Sequence, residues 1–484
     1  MTWYEDLEDP VARDQAAIIV EEFGRRRIAI GGVARDGGVG FMYAEDQLLA
    51  REQYLGDIGT ILARRQLQYS VAKRIIRDIV LLDIRPGEKD GMSAEGNDSA
   101  SGSNGENRGD VPSEGEGGTE GEQPPLVRLV DDIEARLGQG IATLNHALTV
   151  TQGSAHPCPA TEPQEVYDPQ PYPPSCPGGG DGVRIYVADT GVVTNTVNTY
   201  RWLRGVSSES DEDDRVDEAS RTILPYGGHG TFVAGVIGCL APEAAIVVKN
   251  VFNVAGTALE SDFVPDLRRG FDYGAEIFHL TVASPTMHNR PLLAFGTWLD
   301  ELRQHQGVVC VVAAGNYGNR LPCWPAAFRG VISVGALAVD WRSRAHFSNY
   351  GGWVDVYAPG QNLVNAFATG SYTCTVSPFK GDTRTFSGMA QWSGTSFSTP
   401  VVTGLIAARM VRCGESAQEA ATALLARARA RAIPGVGPVL LPRCEDEDHT
   451  CCGEHGRCGD RGCGHGRCGR DCDRCACDRC GGHG

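Results

Sequence analysis

Residues 183–432 predict an α/β fold, with a mostly parallel sheet and helices on both faces. Two observations predict it. Short apolar runs alternate with segments of helical period along this stretch. The residues best suited to chemistry, Asp189, His229 and Ser396, stand where such runs end or helices begin, as expected of sheets whose active groups gather at the carboxyl ends of strands.

The elements follow in order. Residues 11–32 carry a helical pattern and then a short strand at 28–32; 41–49 read as a strand, 51–66 as an amphipathic helix and 70–84 as a mixed apolar segment. From 87 to 125 the chain is Gly, Ser, Glu, Asp and Asn with almost nothing apolar to bury, so a disordered insert is expected. A helix at 126–137 and a strand at 141–150 complete residues 1–150 as a small α+β domain. Residues 151–182, rich in Pro and Gly with Cys158 and Cys176 near the ends, read as a linker.

Within 183–432, strands are expected at 183–188, 245–251, 277–282, 307–314 and 331–337. Helices are expected at 231–240, 261–273, 292–305, after Ser396, and at 415–432. The acidic loop 209–218 reads as a solvated face, with calcium binding as the minority alternative. Past Ile433 the apolar period is lost, and residues 433–484 form a Cys/His/Gly-rich tail holding ten of the 17 cysteines. With His449, His455, His465 and His483 it offers donors for zinc, but the spacing fits no tetrahedral pattern; disulfides and a tail without defined ligands are the alternatives.

Composition bounds the function. A formal charge of −17 with no offsetting basic stripe argues against a nucleic-acid partner, and no apolar run is long enough to span a bilayer. The polar, acidic N-terminus lacks the pattern of a secretory signal, which favours a cytoplasmic location, with secretion as the alternative.

Asp189 closes an apolar run and is followed by Thr190-Gly191, a tight turn that exposes a carboxylate. His229 lies among glycines at a helix start, and Ser396 opens a helix of small and apolar residues with Pro400 in its first turn. Taken singly, each has an ordinary reading: a turn aspartate, a structural histidine, a helix-capping serine. Acyl transfer by serine needs a base for the hydroxyl proton and an acid to orient that base. The order Asp, His, Ser is that of subtilisins, not that of chymotrypsin or the α/β-hydrolases. Asp-Thr-Gly also occurs in aspartic proteases, which need a second such motif that this chain lacks.

The runs Val187-Ala188-Asp189-Thr190-Gly191, Gly228-His229-Gly230-Thr231-Phe232-Val233-Ala234-Gly235 and Gly394-Thr395-Ser396-Phe397-Ser398-Thr399-Pro400 closely resemble the three signature motifs of subtilisin-like serine proteases. Val312-Ala313-Ala314-Gly315-Asn316 and Val354-Asp355-Val356-Tyr357-Ala358-Pro359-Gly360 match two further family segments. The resemblance covers about half of the chain and implies a subtilisin-like fold and a serine endopeptidase acting on protein or peptide substrates. It implies Ser396 as nucleophile, His229 as general base and acid, Asp189 as the orienting carboxylate and Asn316 as an oxyanion donor. No cofactor is required, structural calcium is an option, and no metal ligands are assigned. The substrate-binding strand of the family usually reads Asn-x-Ser-x-Gly; here it is His279-Leu280-Thr281-Val282-Ala283, so Thr281, Val282 and Ala283 are the expected substrate-binding residues, with Ala283 narrowing the cleft. Many relatives carry an α+β propeptide whose final strand lies in that cleft, and residues 140–147 faintly resemble its end. Residues 1–150 are thus expected to inhibit the enzyme until the 151–182 stretch is cut. The rival reading is a catalytically silent scaffold that serves as a binding module with a metal-binding tail.

Overall fold

The computed structural model describes residues 7–24, 28–32, 40–87, 124–150, 160–167, 169–174, 178–208, 215–217 and 219–442. The insert at 88–123, Cys158, Cys176, most of the acidic loop and the tail from 443 onward lie outside the described residues.

The N-terminal region opens with α1 (Pro10–Phe23), where Asp9 accepts the Val11 N–H at 3.0 Å and Pro10 fills the first turn. There follow β1 (Ile28–Ile30), β2 (Met42–Arg51), α2 (Leu55–Arg64), β3 (Leu67–Ile76), β4 (Ile79–Pro86), α3 (Pro125–Leu137) and β5 (Ala142–Thr149). The mixed segment at 70–84 proves to be most of the β3–β4 hairpin, turned at Arg77 with φ +46°. β2 lies between β4 and β5, and α2 and α3 pack Ile58, Leu62, Leu129 and Ile133 over Leu48, Val80, Leu82 and Leu144.

The second region comprises β6 (Arg184–Asp189), α4 (Thr194–Val197), β7 (Val206–Ser208), β8 (Val216–Asp217), β9 (Thr222–Ile223), α5 (His229–Leu240), β10 (Ala245–Asn250), β11 (Thr257–Leu259), α6 (Glu260–Tyr273), β12 (Ile277–Leu280), α7 (Leu293–Leu302), β13 (Val309–Ala313), β14 (Ile332–Leu337), β15 (Val356–Pro359), β16 (Leu363–Thr373), β17 (Thr383–Trp392), α8 (Thr395–Cys413) and α9 (Ala417–Ala430). Seven strands form a parallel sheet in the order β15-β14-β13-β12-β6-β10-β7. Alternate residues face opposite layers. Ile185 and Val187 join the core with α5, α8 and α9, while Tyr186 and Ala188 join the core with α6 and α7. The order reverses around β6, so Asp189 ends its strand at the switch point of the sheet. The fold is the expected subtilisin-like α/β arrangement with an N-terminal α+β region.

Besides short strands such as β7 and β15, two larger features went unseen in the sequence. The first is the long antiparallel hairpin β16–β17, which leads directly into α8. The second is the described part of the 151–182 stretch. Residues 160–172 strap across that hairpin: Gln164 exchanges backbone hydrogen bonds with Gln391, both at 2.9 Å, and Tyr172 N–H donates to the Val364 carbonyl at 2.7 Å. Buried Glu162 accepts from Tyr372 Oη at 2.5 Å, Thr375 N at 2.7 Å and Val376 N at 3.1 Å.

The two regions share a sheet. β5 pairs antiparallel with β2 on one side and with β11 on the other. Its last residue, Thr149, lies opposite Thr257 and is also bridged to Ala283, whose N–H donates to the Thr149 carbonyl at 3.1 Å.

Candidate active site

Three elements bring Asp189, His229 and Ser396 together. β6 delivers Asp189 at its carboxyl end, α5 begins with His229, and α8 begins at Thr395 with Ser396 in its first turn. Gly228 precedes α5 with φ +81°, a conformation that costs glycine little. At Gly230 a Cβ would stand 2.1 Å from the Gly191 carbonyl oxygen and 3.2 Å from Asp189 Oδ1, so only glycine lets α5 start this close to the end of β6. All three side chains are buried.

His229 Nδ1 lies 2.7 Å from Asp189 Oδ1. The same oxygen accepts the Thr190 N–H at 2.7 Å, and Oδ2 accepts the Thr281 hydroxyl at 2.6 Å. Burial alone would raise the Asp189 carboxyl, but the histidine, the hydroxyl and the amide outweigh it and hold the group below its ordinary value. With Nδ1 bound to Asp189, Nε2 is the nitrogen left for proton exchange. His229 Nε2 and Ser396 Oγ are both buried, and neither has a hydrogen-bond partner among the described residues. They are therefore not hydrogen-bonded to each other, and catalytic bonds of this kind often tighten only in the reacting complex.

Asn316 follows β13 in a loop braced against α8. Its Oδ1 accepts from both Thr395 N and Thr395 Oγ1 at 2.9 Å. The donors pin the amide oxygen, which turns the NH2 group to the other side. Asn349 holds the same loop, donating to the Ala314 carbonyl at 2.8 Å and accepting from Tyr317 N at 3.0 Å.

The three expected substrate-binding residues divide their roles. Ala283 pairs with Thr149 through its backbone, and buried Val282 packs in the same apolar core as Leu148 and Val150. Thr281 turns its hydroxyl on Asp189 instead. Two residues before it, on the same face of the strand, His279 lies 2.8 Å from Thr403 Oγ1 of α8. Burial pushes its imidazole down to about 3, with Asp189 pulling the other way and His229 adding to the fall. Sequence reading marked His279 only as a departure from the family pattern; it also missed Thr395, Asn349 and the ring of Trp392 beside His229. Thr395 had a signal, since it sits inside a recognised motif, whereas Asn349 and Trp392 reach the site from distant runs without any.

Among the described residues no group of three or more His, Cys, Asp or Glu is arranged to hold a metal ion. No helix among them is long and apolar enough to cross a membrane.

The chain is similar in sequence to known proteins. A "Thermophilic serine proteinase" of Bacillus sp. (strain AK1) is 31% identical over 245 residues, which is 47% of this chain and 52% of that one. "Thermitase" of Thermoactinomyces vulgaris is 27% identical over 272 residues, 54% of this chain and 85% of that one. A cold-adapted subtilisin-like serine proteinase of known crystal structure aligns at 24% identity and a TM-score of 0.42, covering 55% of this chain and 91% of that chain. The chain spans about half the length of several curated relatives that it matches. The model of the subtilase family matches residues 180–436, just over half of the chain. The chain belongs to the subtilase family.

Proposed function

We propose that the chain is a serine endopeptidase that cuts peptide bonds through an acyl-enzyme intermediate. The observation that carries this reading is the bond from His229 Nδ1 to Asp189, with Nε2 and the Ser396 hydroxyl both without a hydrogen-bond partner among the described residues. In the reaction Ser396 Oγ attacks the peptide carbonyl while His229 Nε2 takes its proton, and the imidazolium then gives that proton to the departing amine. Water enters, loses a proton to His229 and releases the acyl group, restoring the serine. Asp189 keeps Nδ1 protonated and stabilises the imidazolium. Asn316 and the Ser396 N–H serve the oxyanion, where one donor is typically worth about 3–4 kcal/mol.

The N-terminal region is its own inhibitor on this reading. Peptide substrates of such clefts add as a strand, and the reading is supported by the end of β5, where Thr149 is paired with Thr257 of β11 on one side and bridged to Ala283 on the other. Val150 follows in the same line, its N–H donating to the Gly256 carbonyl at 2.9 Å. The first cut is expected between Val150 and Ala160, because the strap residues described from Ala160 onward pair with the protease side.

Intact mass measurement on wild type and Ser396→Ala tests both parts. Wild type should lose residues 1 to about 150–159 and then react with a fluorophosphonate, and Ser396→Ala should stay full length and unlabelled. A wild type that never labels, even after limited digestion of the 151–159 stretch, would favour the silent scaffold instead.

A further inference from the structure

Behind His229 stands an aromatic wall. The ring of Trp392, at the end of β17, is buried with its centroid 5.5 Å from that of His229 at an interplanar angle of 79°. Phe397, next to Ser396, has its ring 5.3 Å from His229 and 5.2 Å from Trp392. Phe232 and Phe367 back Trp392 edge-on at 6.0 and 5.5 Å. The indole N–H of Trp392 donates to the Thr161 carbonyl at 2.6 Å, and its neighbour Gln391 is paired both ways with Gln164. The strap therefore grips the last residues of β17.

A single hydrogen bond at Nδ1 leaves an imidazole free to swing about that bond. Only packing then fixes the plane of the ring, and with it the direction of Nε2. Phe397 moves with Ser396, since the two are adjacent on α8, so it cannot set the histidine relative to the serine on its own. Trp392 is the independent wall, held from outside α5 and α8 by Thr161.

We infer that Trp392 is a positioning residue for proton transfer, acting through His229, and that the 160–165 strap sets it. This rests on the reading of His229 as the base. Trp392 is itself buried on β17, with little surface open to a peptide, whereas the pairing offered to the end of β5 comes from β11 and Ala283. Its loss should therefore act on kcat and leave KM alone.

The test uses the full chain after its own processing, with peptide hydrolysis followed for wild type, Trp392→Leu and Trp392→Phe. A misplacement near 1 Å costs about a hundredfold, so Trp392→Leu should lose about tenfold to a hundredfold in kcat with KM within about twofold. Trp392→Phe restores an aromatic wall but not the bond to Thr161, and should recover to a kcat about twofold to fivefold below wild type at unchanged KM. Thermal melts of the three proteins identify any variant that has not folded; if Trp392→Leu has not, the Phe variant decides alone. Equal kcat in Trp392→Phe and wild type removes the strap from the proposal. A folded Trp392→Leu variant with wild-type kcat, or with KM altered as much as kcat, overturns the whole. These results differ from failure of the underlying reading, in which wild type itself neither hydrolyses peptide nor takes the fluorophosphonate.

Discussion

Thr281 illustrates how one hydroxyl serves two regions. Its backbone belongs to the strand that leads into Ala283, while its Oγ1 is the donor to Asp189 Oδ2 at 2.6 Å. The other two contacts to the carboxylate, from His229 and Thr190, both fall on Oδ1. Replacing Thr281 by valine keeps the branched shape and removes that donor from a buried charge. Hydrogen bonds to charged groups contribute about 1.5–3 kcal/mol, so Thr281→Val should lower kcat by about 10-fold to 100-fold. Steady-state hydrolysis of a peptide substrate measures this, and a rate within twofold of wild type would show that Oδ2 needs no partner.

At the scale of elements, the hairpin and its strap form one unit. Glu162 satisfies the phenol of Tyr372 and the amides of Thr375 and Val376, all drawn from the far end of the hairpin. Glu162→Ala strands these donors in a buried setting, at a cost of about 1–3 kcal/mol for each group that finds no water. A drop of about 2–4 kcal/mol in unfolding free energy is therefore expected for the variant in a Ser396→Ala background, read from urea denaturation midpoints. An unchanged midpoint would mean that the strap is held without Glu162. This unit was also the least legible part of the sequence. Five of the seven strands of the parallel sheet, all but β7 and β15, announced themselves as apolar runs, and the motifs around Asp189, His229 and Ser396 are contiguous. By contrast β16 and β17 are rich in Ser, Thr, Gly and Ala, and a register shift between Ala366 and Thr369 breaks the alternation that marks a strand. The strap is Pro-rich and looks like a spacer because the order of its described residues comes from partners such as Tyr372, 210 residues away from Glu162.

For the whole molecule, three buried groups among the described residues dominate the response between pH 4.5 and 6.5. His146 accepts the Met287 N–H on Nε2 at 3.1 Å and so must be neutral there. Burial lowers both His146 and His279 to about 3, against the ordinary 6.5. Below 6.5 the unfolded chain gains protons that the folded chain refuses. Each histidine thus contributes stability that is complete above 6.5 and is lost as pH falls towards 3, by about 1.4 kcal/mol per pH unit. Glu260 runs the other way: burial raises it to about 7 from 4.5, despite the amides of Phe295 and Ala294. Between pH 4.5 and 7 it is the folded chain that holds the extra proton, so this carboxyl withdraws stability as pH rises. Two histidines outweigh one glutamate, and the melting temperature of Ser396→Ala should climb from pH 4.5 to 6.5. Adding His279→Asn should flatten the climb and adding Glu260→Gln should steepen it. A flat profile in the parent protein, or a slope that neither change alters, would contradict the assignment.

The bridge from Thr149 to Ala283 also sets how the protein would behave in dilute and crowded solutions. While the chain is whole, Thr149 meets Ala283 as part of the same molecule, at an effective concentration that dilution cannot change. On the reading proposed above, one cut after Val150 makes the N-terminal region a separate ligand that obeys mass action. Silence would then persist where the protein is concentrated and lift as it disperses, so the cut arms the enzyme and dilution decides when it works.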